Sequence, residues 1–229
     1  MDIYKSSIYN GPNLGIYAKV NDDFIFIPNG LTETKTKKLS EYLQTDKIVT
    51  SVANTSLLGI LMVINNHGIL LPNTASEDEL TQLKSKTDLN VEVLDVKHNA
   101  LGNMMSVNDT GGIVSPSLPK ESLNKISDVL DIELIQKKIA GFHQVGAVMA
   151  TSPTGGIVHP ETDEEDVKII KNILGVNVEP ATINGGLPFL SSGILANSKS
   201  MVVGSLTNGP EIMMPVSYTH LTLPTNREV

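Results

Sequence analysis

The chain has 229 residues and no cysteine, and its 17 Lys and Arg against 25 Asp and Glu give a net charge of −8. The missing cysteine excludes disulfides, thiolate catalysis and thiolate metal sites. The acidic balance and an aromatic content of 4% argue against DNA or broad RNA contact, because phosphate binding needs positive charge and base stacking needs aromatic rings. A basic protein surface fits this charge better.

The first predicted element is a short strand over residues 3–9, whose pattern returns along the chain. Matching segments end the later repeats at residues 47–53, 91–97, 132–139 and 176–183. Apolar runs predict a first strand in each repeat, over residues 14–20, 58–64, 103–107, 146–150 and 193–196. The fifth repeat lacks a last strand of its own, so we expect residues 3–9 to complete it and close a ring.

A second strand follows each first strand and sets the register of the repeat. Its clearest mark is Ile25, whose counterparts at steps of 44 residues are Ile69, Ile113, Ile157 and Met201. Turns rich in Asn and Gly, such as residues 65–68 and 108–112, join the two strands. These residue types tolerate the positive φ of tight turns, so the pattern predicts hairpins.

A helix follows each second strand. Residues 76–79 and 162–165 have the form of a capping box, and Pro119 suits a first helical turn. Apolar residues at helical spacing follow at positions 123, 126, 129 and 130, and again at 167, 170, 173 and 174. The unit is therefore strand, strand, helix, strand, and five such units predict an α/β ring.

The repeat predicts one domain over residues 1–214. Its units span about 10–53, 54–98, 99–141, 142–185 and 186–214, with residues 1–9 closing the last. Residues 215–229 depart from every pattern before them, so we interpret them as a non-native or flexible extension. A ring closed within one chain needs no partner to fold, so we expect a monomer.

The sequence predicts neither a signal peptide nor a membrane span. Residues 1–7 contain no apolar core, and the longest apolar run, residues 57–64, is too short to cross a bilayer. We therefore expect a soluble cytoplasmic protein without a membrane partner.

Several ordered motifs resemble those of the translation initiation factor 6 family, the ribosome anti-association factors of archaea and eukaryotes. They are Asn-Thr-Ser-Leu-Leu-Gly at 54–59, Ala-Leu-Gly-Asn at 100–103, Gly-Gly-Ile-Val-His-Pro at 155–160 and Thr-Ile-Asn-Gly-Gly at 182–186. The resemblance covers about residues 1–214, and the length looks archaeal. It implies the five-fold pseudo-symmetric α/β-propeller, or pentein, fold, which agrees with the ring that the repeat predicts.

The resemblance also implies a function. Members of the family bind the intersubunit face of the large ribosomal subunit and exclude the small subunit, so the expected partners are basic ribosomal proteins near the sarcin–ricin loop. A role in large-subunit biogenesis is implied too, and catalysis is not. The positions that match the family's docking surface are Asn10, Asn54, Asn99, Leu101, Asn103 and Asn184.

Turn chemistry is a competing explanation for these asparagines. Asn bonds its own backbone in turns and tolerates left-handed backbone, so Asn10, Asn54 and Asn184 fit turns as well as they fit contacts. Asn103 is the strongest candidate for contact, because exposed loop residues on rigid scaffolds often carry binding.

The alternative function is a pentein-fold enzyme acting on guanidino substrates. Such enzymes resemble one another in using a Cys nucleophile, which this chain lacks, and no Gly-x-Ser-x-Gly elbow replaces it. The five His form no zinc-binding pair, and a helix N-terminus explains the acidic residues 163–166. We therefore expect no enzymatic activity, no metal and no cofactor.

Overall fold

The computed structural model describes residues 2–213, and the predicted extension over residues 215–229 lies outside them. The helices and strands, in chain order, are β1 (Asp2–Ser6), α1 (Leu14–Tyr17), β2 (Lys19–Val20), β3 (Phe24–Pro28), α2 (Glu33–Leu43), β4 (Asp46–Thr50), α3 (Leu58–Leu61), β5 (Val63–Ile64), β6 (Gly68–Pro72), α4 (Glu77–Lys86), β7 (Asn90–Leu94), α5 (Leu101–Met104), β8 (Met105–Val107), β9 (Gly111–Val114), α6 (Ser122–Leu130), β10 (Glu133–Gln136), β11 (Met149–Ser152), β12 (Gly155–Val158), α7 (Glu164–Leu174), β13 (Val178–Pro180), the 3₁₀ turn η1 (Leu190–Gly193), β14 (Ile194–Ala196) and β15 (Ser200–Gly204).

The strands form five three-stranded sheets, one in each unit. In every sheet the first strand runs antiparallel to the second, and the third strand runs parallel to the second. The fifth sheet takes its third strand from the N-terminus, where β1 pairs with β15 so that Asp2 lies opposite Ser200 and Ser6 opposite Gly204. The predicted five-unit ring closed by the N-terminal strand is confirmed.

The predicted first strands begin too early in every unit, by one residue in the fifth, and in four units a single helical turn precedes the strand. These turns are α1, α3, α5 and η1. They meet at the ring axis, where a Cβ atom on Gly59 would lie 1.7 Å from the backbone oxygen of Gly15, and one on Gly102 would lie 2.2 Å from that of Gly59. Glycine therefore opens each apolar run because no side chain fits at the axis.

The uniform register of 44 residues is wrong by one residue in the third and fourth units. The hydrogen bond that closes the hairpin is donated by Asn65 N in the second unit and by Asn108 N in the third, a step of 43. The counterpart of Ile69 is therefore Gly112 and not Ile113, and the fourth unit keeps the same offset. Every residue of β9 is buried, so no alternation of polar and apolar residues sets the register.

The helix starts agree with the sequence in one case out of three. Ser76 caps α4 in the predicted capping box. Asp163 caps α7 by accepting a hydrogen bond from Asp166 N, so the box predicted from Thr162 begins one residue too early. Pro119 precedes α6 by three residues instead of lying in its first turn. Within residues 2–213, no helix has the length and apolar character that crossing a membrane requires.

The helices pack across unit boundaries. α6 of the third unit lies on β6 and β7 of the second, where a Cβ atom on Gly68 would lie 2.1 Å from the backbone oxygen of Val129. One core cluster accordingly joins Leu70 of the second unit to Ile126 and Leu130 of the third. Each unit thus buries its apolar surface against a neighbour, as repeat folds do.

Candidate functional site

The ring has two different ends. The tight turns at residues 9–10, 53–54, 140–141 and 184–186 lie at one end with the helix N-termini, as the 2.8 Å hydrogen bond from Tyr9 Oη to Asn29 O illustrates. The hairpins between first and second strands lie at the other end with the helix C-termini, where Asn197 Nδ2 donates to Leu43 O. We call these the turn end and the hairpin end.

The turn end contains most of the asparagines predicted for docking. Asn10 has a φ of 61° and Asn54 a φ of 56°, values in the left-handed region where Asn is tolerated better than most residues. Both residues are exposed, and no hydrogen bond among residues 2–213 occupies their side-chain amides. Turn chemistry accounts for these two asparagines, and it leaves their amide groups open to a partner.

Asn103 lies on α5, next to the ring axis and at the turn end, where Ser115 N, directly after β9, donates to Met104 O at 2.8 Å. Its backbone oxygen accepts a 3.0 Å hydrogen bond from Gly146 N of the next unit, which fixes the position of the residue. Its side chain is half-buried and makes no hydrogen bond within the part of the chain that the structure describes. Asn103 is thus an amide group on a rigid support with its hydrogen-bonding capacity unused.

The other three predicted residues are less accessible. Leu101 has no exposed surface and belongs to the core. Asn184 is 6% exposed, and its amide donates to Pro12 O at 3.3 Å and accepts from Thr207 Oγ1 at 3.2 Å. The side-chain oxygen of Asn99 is buried without a hydrogen-bond partner among the described residues. Asn184 therefore holds the backbone of the turn end and Leu101 packs in the core, so neither side chain offers much surface to a partner.

A buried carboxylate fixes the turn of Asn54, a role that the sequence analysis missed because it assigned this residue only to a capping box. Glu79, from the first turn of α4, is 5% exposed. It accepts hydrogen bonds from Ala53 N and Asn54 N, each at 2.9 Å, and from Ser51 Oγ at 2.5 Å. The same carboxylate closes the capping box through Ser76 N, so one side chain joins the helix start to the turn.

Glu211 plays the same part in the fifth unit. It accepts from Gly185 N at 3.1 Å, Gly186 N at 2.8 Å and Thr182 Oγ1 at 2.9 Å, and so holds the turn after Asn184. Burial raises the pKa of both Glu79 and Glu211, but the donated hydrogen bonds outweigh it, so the net pKa of each is below its usual value. Both groups are therefore charged carboxylates at neutral pH.

Exposed apolar side chains share the turn end. Tyr9, Leu187 and Phe189 are each between 41% and 46% exposed. Phe189 packs edge-on against Phe142 with 6.1 Å between ring centroids, and Phe142 in turn contacts the buried His159. This face therefore combines free amides with aromatic surface, a composition common at protein interfaces.

The hairpin end is built by a ring of buried asparagines at equivalent positions, which we call the asparagine ring. Asn65 donates to Asn108 O at 3.2 Å and to Leu130 O at 2.7 Å, and its side-chain oxygen accepts from His67 N and Gly68 N. Each member links its own hairpin to the next unit, and the members are Asn21, Asn65, Asn108 and Asn197.

The asparagine ring is incomplete in the fourth unit, where Ser152 takes the equivalent position. Among the residues that the structure describes, its hydroxyl bonds only within its own hairpin, where it donates to Gly155 O and accepts from Thr154 N. The sequence analysis explained Asn65 and Asn108 by the positive φ of tight turns, although neither has a positive φ. The signal that could have identified their role is their recurrence at steps of 44, 43 and 89 residues.

The turn end offers exposed binding surface, and the two buried carboxylates in it hold its backbone. No group of three or more His, Asp or Glu side chains that could hold a metal ion occurs between residues 2 and 213. The buried carboxylates Glu79 and Glu211 have their oxygens occupied by hydrogen bonds from neighbouring residues, so they are not placed to act as acids or bases.

Comparison with known proteins gives consistent matches along the chain. The model of the eIF-6 family matches residues 3–216. A protein of Cenarchaeum symbiosum (strain A) named Translation initiation factor 6 is 58% identical over 214 residues, which cover 93% of this chain and 97% of the relative. Proteins of the same name from Nitrosopumilus maritimus (strain SCM1) and Staphylothermus marinus are 54% and 36% identical, over 93% of this chain and 97% and 95% of their own.

Proposed function

The chain belongs to the eIF-6 family and is a translation factor, and we propose that it binds the large ribosomal subunit on its intersubunit face and sterically prevents the small subunit from joining. The family is one of translation initiation factors, not of enzymes. We propose further that residues 1–214 act as one monomeric domain in the cytoplasm, with a second role in large-subunit biogenesis.

The observation that supports the proposal is the composition of the turn end. It presents the free amides of Asn10, Asn54 and Asn103 beside exposed aromatic rings, on turns that buried hydrogen bonds hold in place. A preorganised surface loses little conformational entropy on binding. A ring of this size can bury about 800 Å² against a partner, which is enough for a specific complex.

The charge of the chain supports ribosomal proteins as the contacts. A net charge of −8 favours a basic protein surface and disfavours extensive contact with phosphates. We therefore propose basic ribosomal proteins near the sarcin–ricin loop as the partner surface.

The first test is co-sedimentation with purified archaeal large and small subunits. We expect the chain to sediment with the large subunit only and to reduce the yield of joined ribosomes. Sedimentation with neither subunit, or with both equally, would overturn the proposal.

The docking face is tested by variants that separate contact from turn chemistry. Asn54→Gly and Asn10→Gly keep the positive φ that the turns need but remove the amide, and Asn103→Ala removes an amide without a hydrogen bond. If these amides contact the ribosome, each variant raises the dissociation constant about tenfold, which corresponds to about 1.4 kcal/mol. His67→Ala is the matched control, because His67 is exposed at the hairpin end.

The two parts of the proposal fail in different ways. Large-subunit binding that the three turn-end variants leave unchanged, with weakening by His67→Ala, would keep the function and move the docking face to the hairpin end.

A further inference from the structure

A cavity on the ring axis contains an unpaired cation. Residues of all five units line it, and its volume is about 70 Å³, several times the roughly 10–15 Å³ that admits one water molecule. Hydroxyl groups of Ser106, Thr151 and Ser191 lie along it beside aliphatic side chains. Lys19, from β2, is the only charged side chain among its lining residues within 2–213.

No carboxylate in the described part of the chain pairs with Lys19. Lys137 shows the contrast, because Asp166 lies 2.7 Å from its ammonium group and raises its pKa. Burial instead lowers the pKa of Lys19 to about 8. The amine is still mostly protonated at pH 7, so the cavity holds a positive charge that no neighbouring side chain neutralises.

Packing of the ring does not require a lysine at this position. Lys19 lies two residues before the hairpin asparagine Asn21, and its counterparts in the other units are Val63, Ser106, Ala150 and Leu195. Two of these four are aliphatic side chains in the buried core. The charged side chain is therefore specific to the first unit and is not required by the repeated fold.

The carboxylates nearest the axis are already bound at the hairpin end. Asp109 lines the narrower continuation of the cavity, and its two oxygens accept from Asn66 N at 2.8 Å and Asn66 Nδ2 at 2.7 Å. Asp22 accepts from Ser198 N at 2.8 Å and from Asn66 Nδ2 at 3.1 Å. Neither carboxylate serves as the counter-charge of Lys19.

We propose that the axial cavity binds a small monovalent inorganic anion of halide size, with Lys19 as the counter-charge. One cation balances one negative charge, and the few donors in the cavity suit an ion with weak hydration demands. Thr151 Oγ1 donates to Val107 O at 2.8 Å, but the Ser106 hydroxyl, 3.2 Å from Thr151 Oγ1, can rotate to donate into the cavity.

The direct test uses bromide, whose anomalous X-ray signal identifies it in a crystal. Crystals of the full chain grown with bromide as the halide are expected to show an anomalous peak within hydrogen-bonding distance of Lys19 Nζ. Lys19→Val, the residue type of the second unit at this position, is expected to remove the peak. A wild-type cavity that holds only water would overturn the proposal.

A solution measurement excludes binding that occurs only at crystal concentrations. The thermal unfolding midpoint is compared in sodium bromide and in sodium gluconate, whose anion is too large for the cavity, at equal ionic strength. We expect wild type and the exposed control Lys97→Met to gain stability from bromide, and Lys19→Val to gain none. Lys19→Met provides a second variant if valine prevents folding, and equal bromide responses in all variants would contradict the site.

Discussion

The two ends of the ring are stabilised by different kinds of contact. At the hairpin end four of five units use the same side chain in the same way, since each asparagine of the ring bonds its own hairpin and the next unit. At the turn end no single contact recurs in four units: a buried Glu holds two of the turns, and a different contact acts in the first unit. Glu79 holds one turn, Glu211 holds another, and the Tyr9 hydroxyl bonds Asn29 O in the first unit.

This difference indicates that the contacts that join the units lie at the hairpin end, whereas the proposed binding surface lies at the turn end. A contact repeated in four units joins neighbours, so a change in one unit affects the ring. A turn held from within its own helix start can change without disturbing the other units. The turn end is therefore free to present different residues in each unit, as a surface for an asymmetric partner requires, whereas the hairpin end is constrained by closure.

The largest loss of stability is expected at the ring axis, where the helical turns of neighbouring units are in contact. Gly59→Ala places a Cβ atom 1.7 Å from the backbone oxygen of Gly15, and backbone cannot move aside without opening the ring. We expect more than about 4 kcal/mol of destabilisation, measured by urea unfolding. Gly209→Ala is the control, because nothing lies within 4 Å of its Cβ position. Equal stability of the two variants would mean that the axis is not tightly packed.

The second effect tests the hairpin end. Asn65→Ala removes two donated and two accepted hydrogen bonds in a buried site, and we expect about 2–4 kcal/mol of destabilisation. Asn65→Ser, which copies the fourth unit, should restore part of the loss through the hydroxyl oxygen. A smaller loss of stability for Asn65→Ala than for Glu79→Gln at the turn end would contradict the difference between the two ends.

The third effect tests the turn end. Glu79→Gln keeps the shape of the side chain but turns an amide NH₂ toward backbone donors, so we expect about 1–3 kcal/mol of destabilisation at pH 7. Weaker protection of the amide of Asn54 from hydrogen exchange should accompany it, with the asparagine ring unchanged. Loss of protection at both ends would show that the ends are coupled.

The same variant predicts a pH dependence. The pKa of Glu79 is lower in the folded than in the unfolded chain, where the pKa of a Glu is about 4.3. Its stabilisation is therefore complete above that pH and is lost as the pH falls through the folded pKa. The difference in unfolding free energy between wild type and Glu79→Gln should shrink below about pH 4.3, and a constant difference would contradict it.

The smallest effect completes the asparagine ring. Ser152→Asn in the fourth unit supplies the amide that would donate to the hairpin carbonyl of Asn197, and we expect a gain of about 0.5–1 kcal/mol. The thermal unfolding midpoint measures the gain. A loss of stability would show that the fourth hairpin has adapted to the smaller side chain.

The sequence predicts the ring because its repeat, hairpin turns and helix caps are local patterns. It misplaces the first strands, because the glycines that mark the axis act through contacts with other units. The sequence predicts Glu79 as part of a helix cap. It does not show that Glu79 accepts a hydrogen bond from Asn54 N, because the two residues are 25 positions apart. Asn65 is read as a turn residue for the same reason, since its partner Leu130 O is 65 residues away.

The pairing of β1 with β15 also affects how the chain folds as it is made. The first strand to leave the ribosome has to wait for the last, because Asp2 pairs with Ser200. Until then the edge of β1 is open, and a parallel pairing across such a separation is slow to form. Synthesis can complete the middle units one by one, but only release of nearly the whole chain joins them into a ring. A truncated chain would expose two unpaired strand edges and would be prone to aggregate.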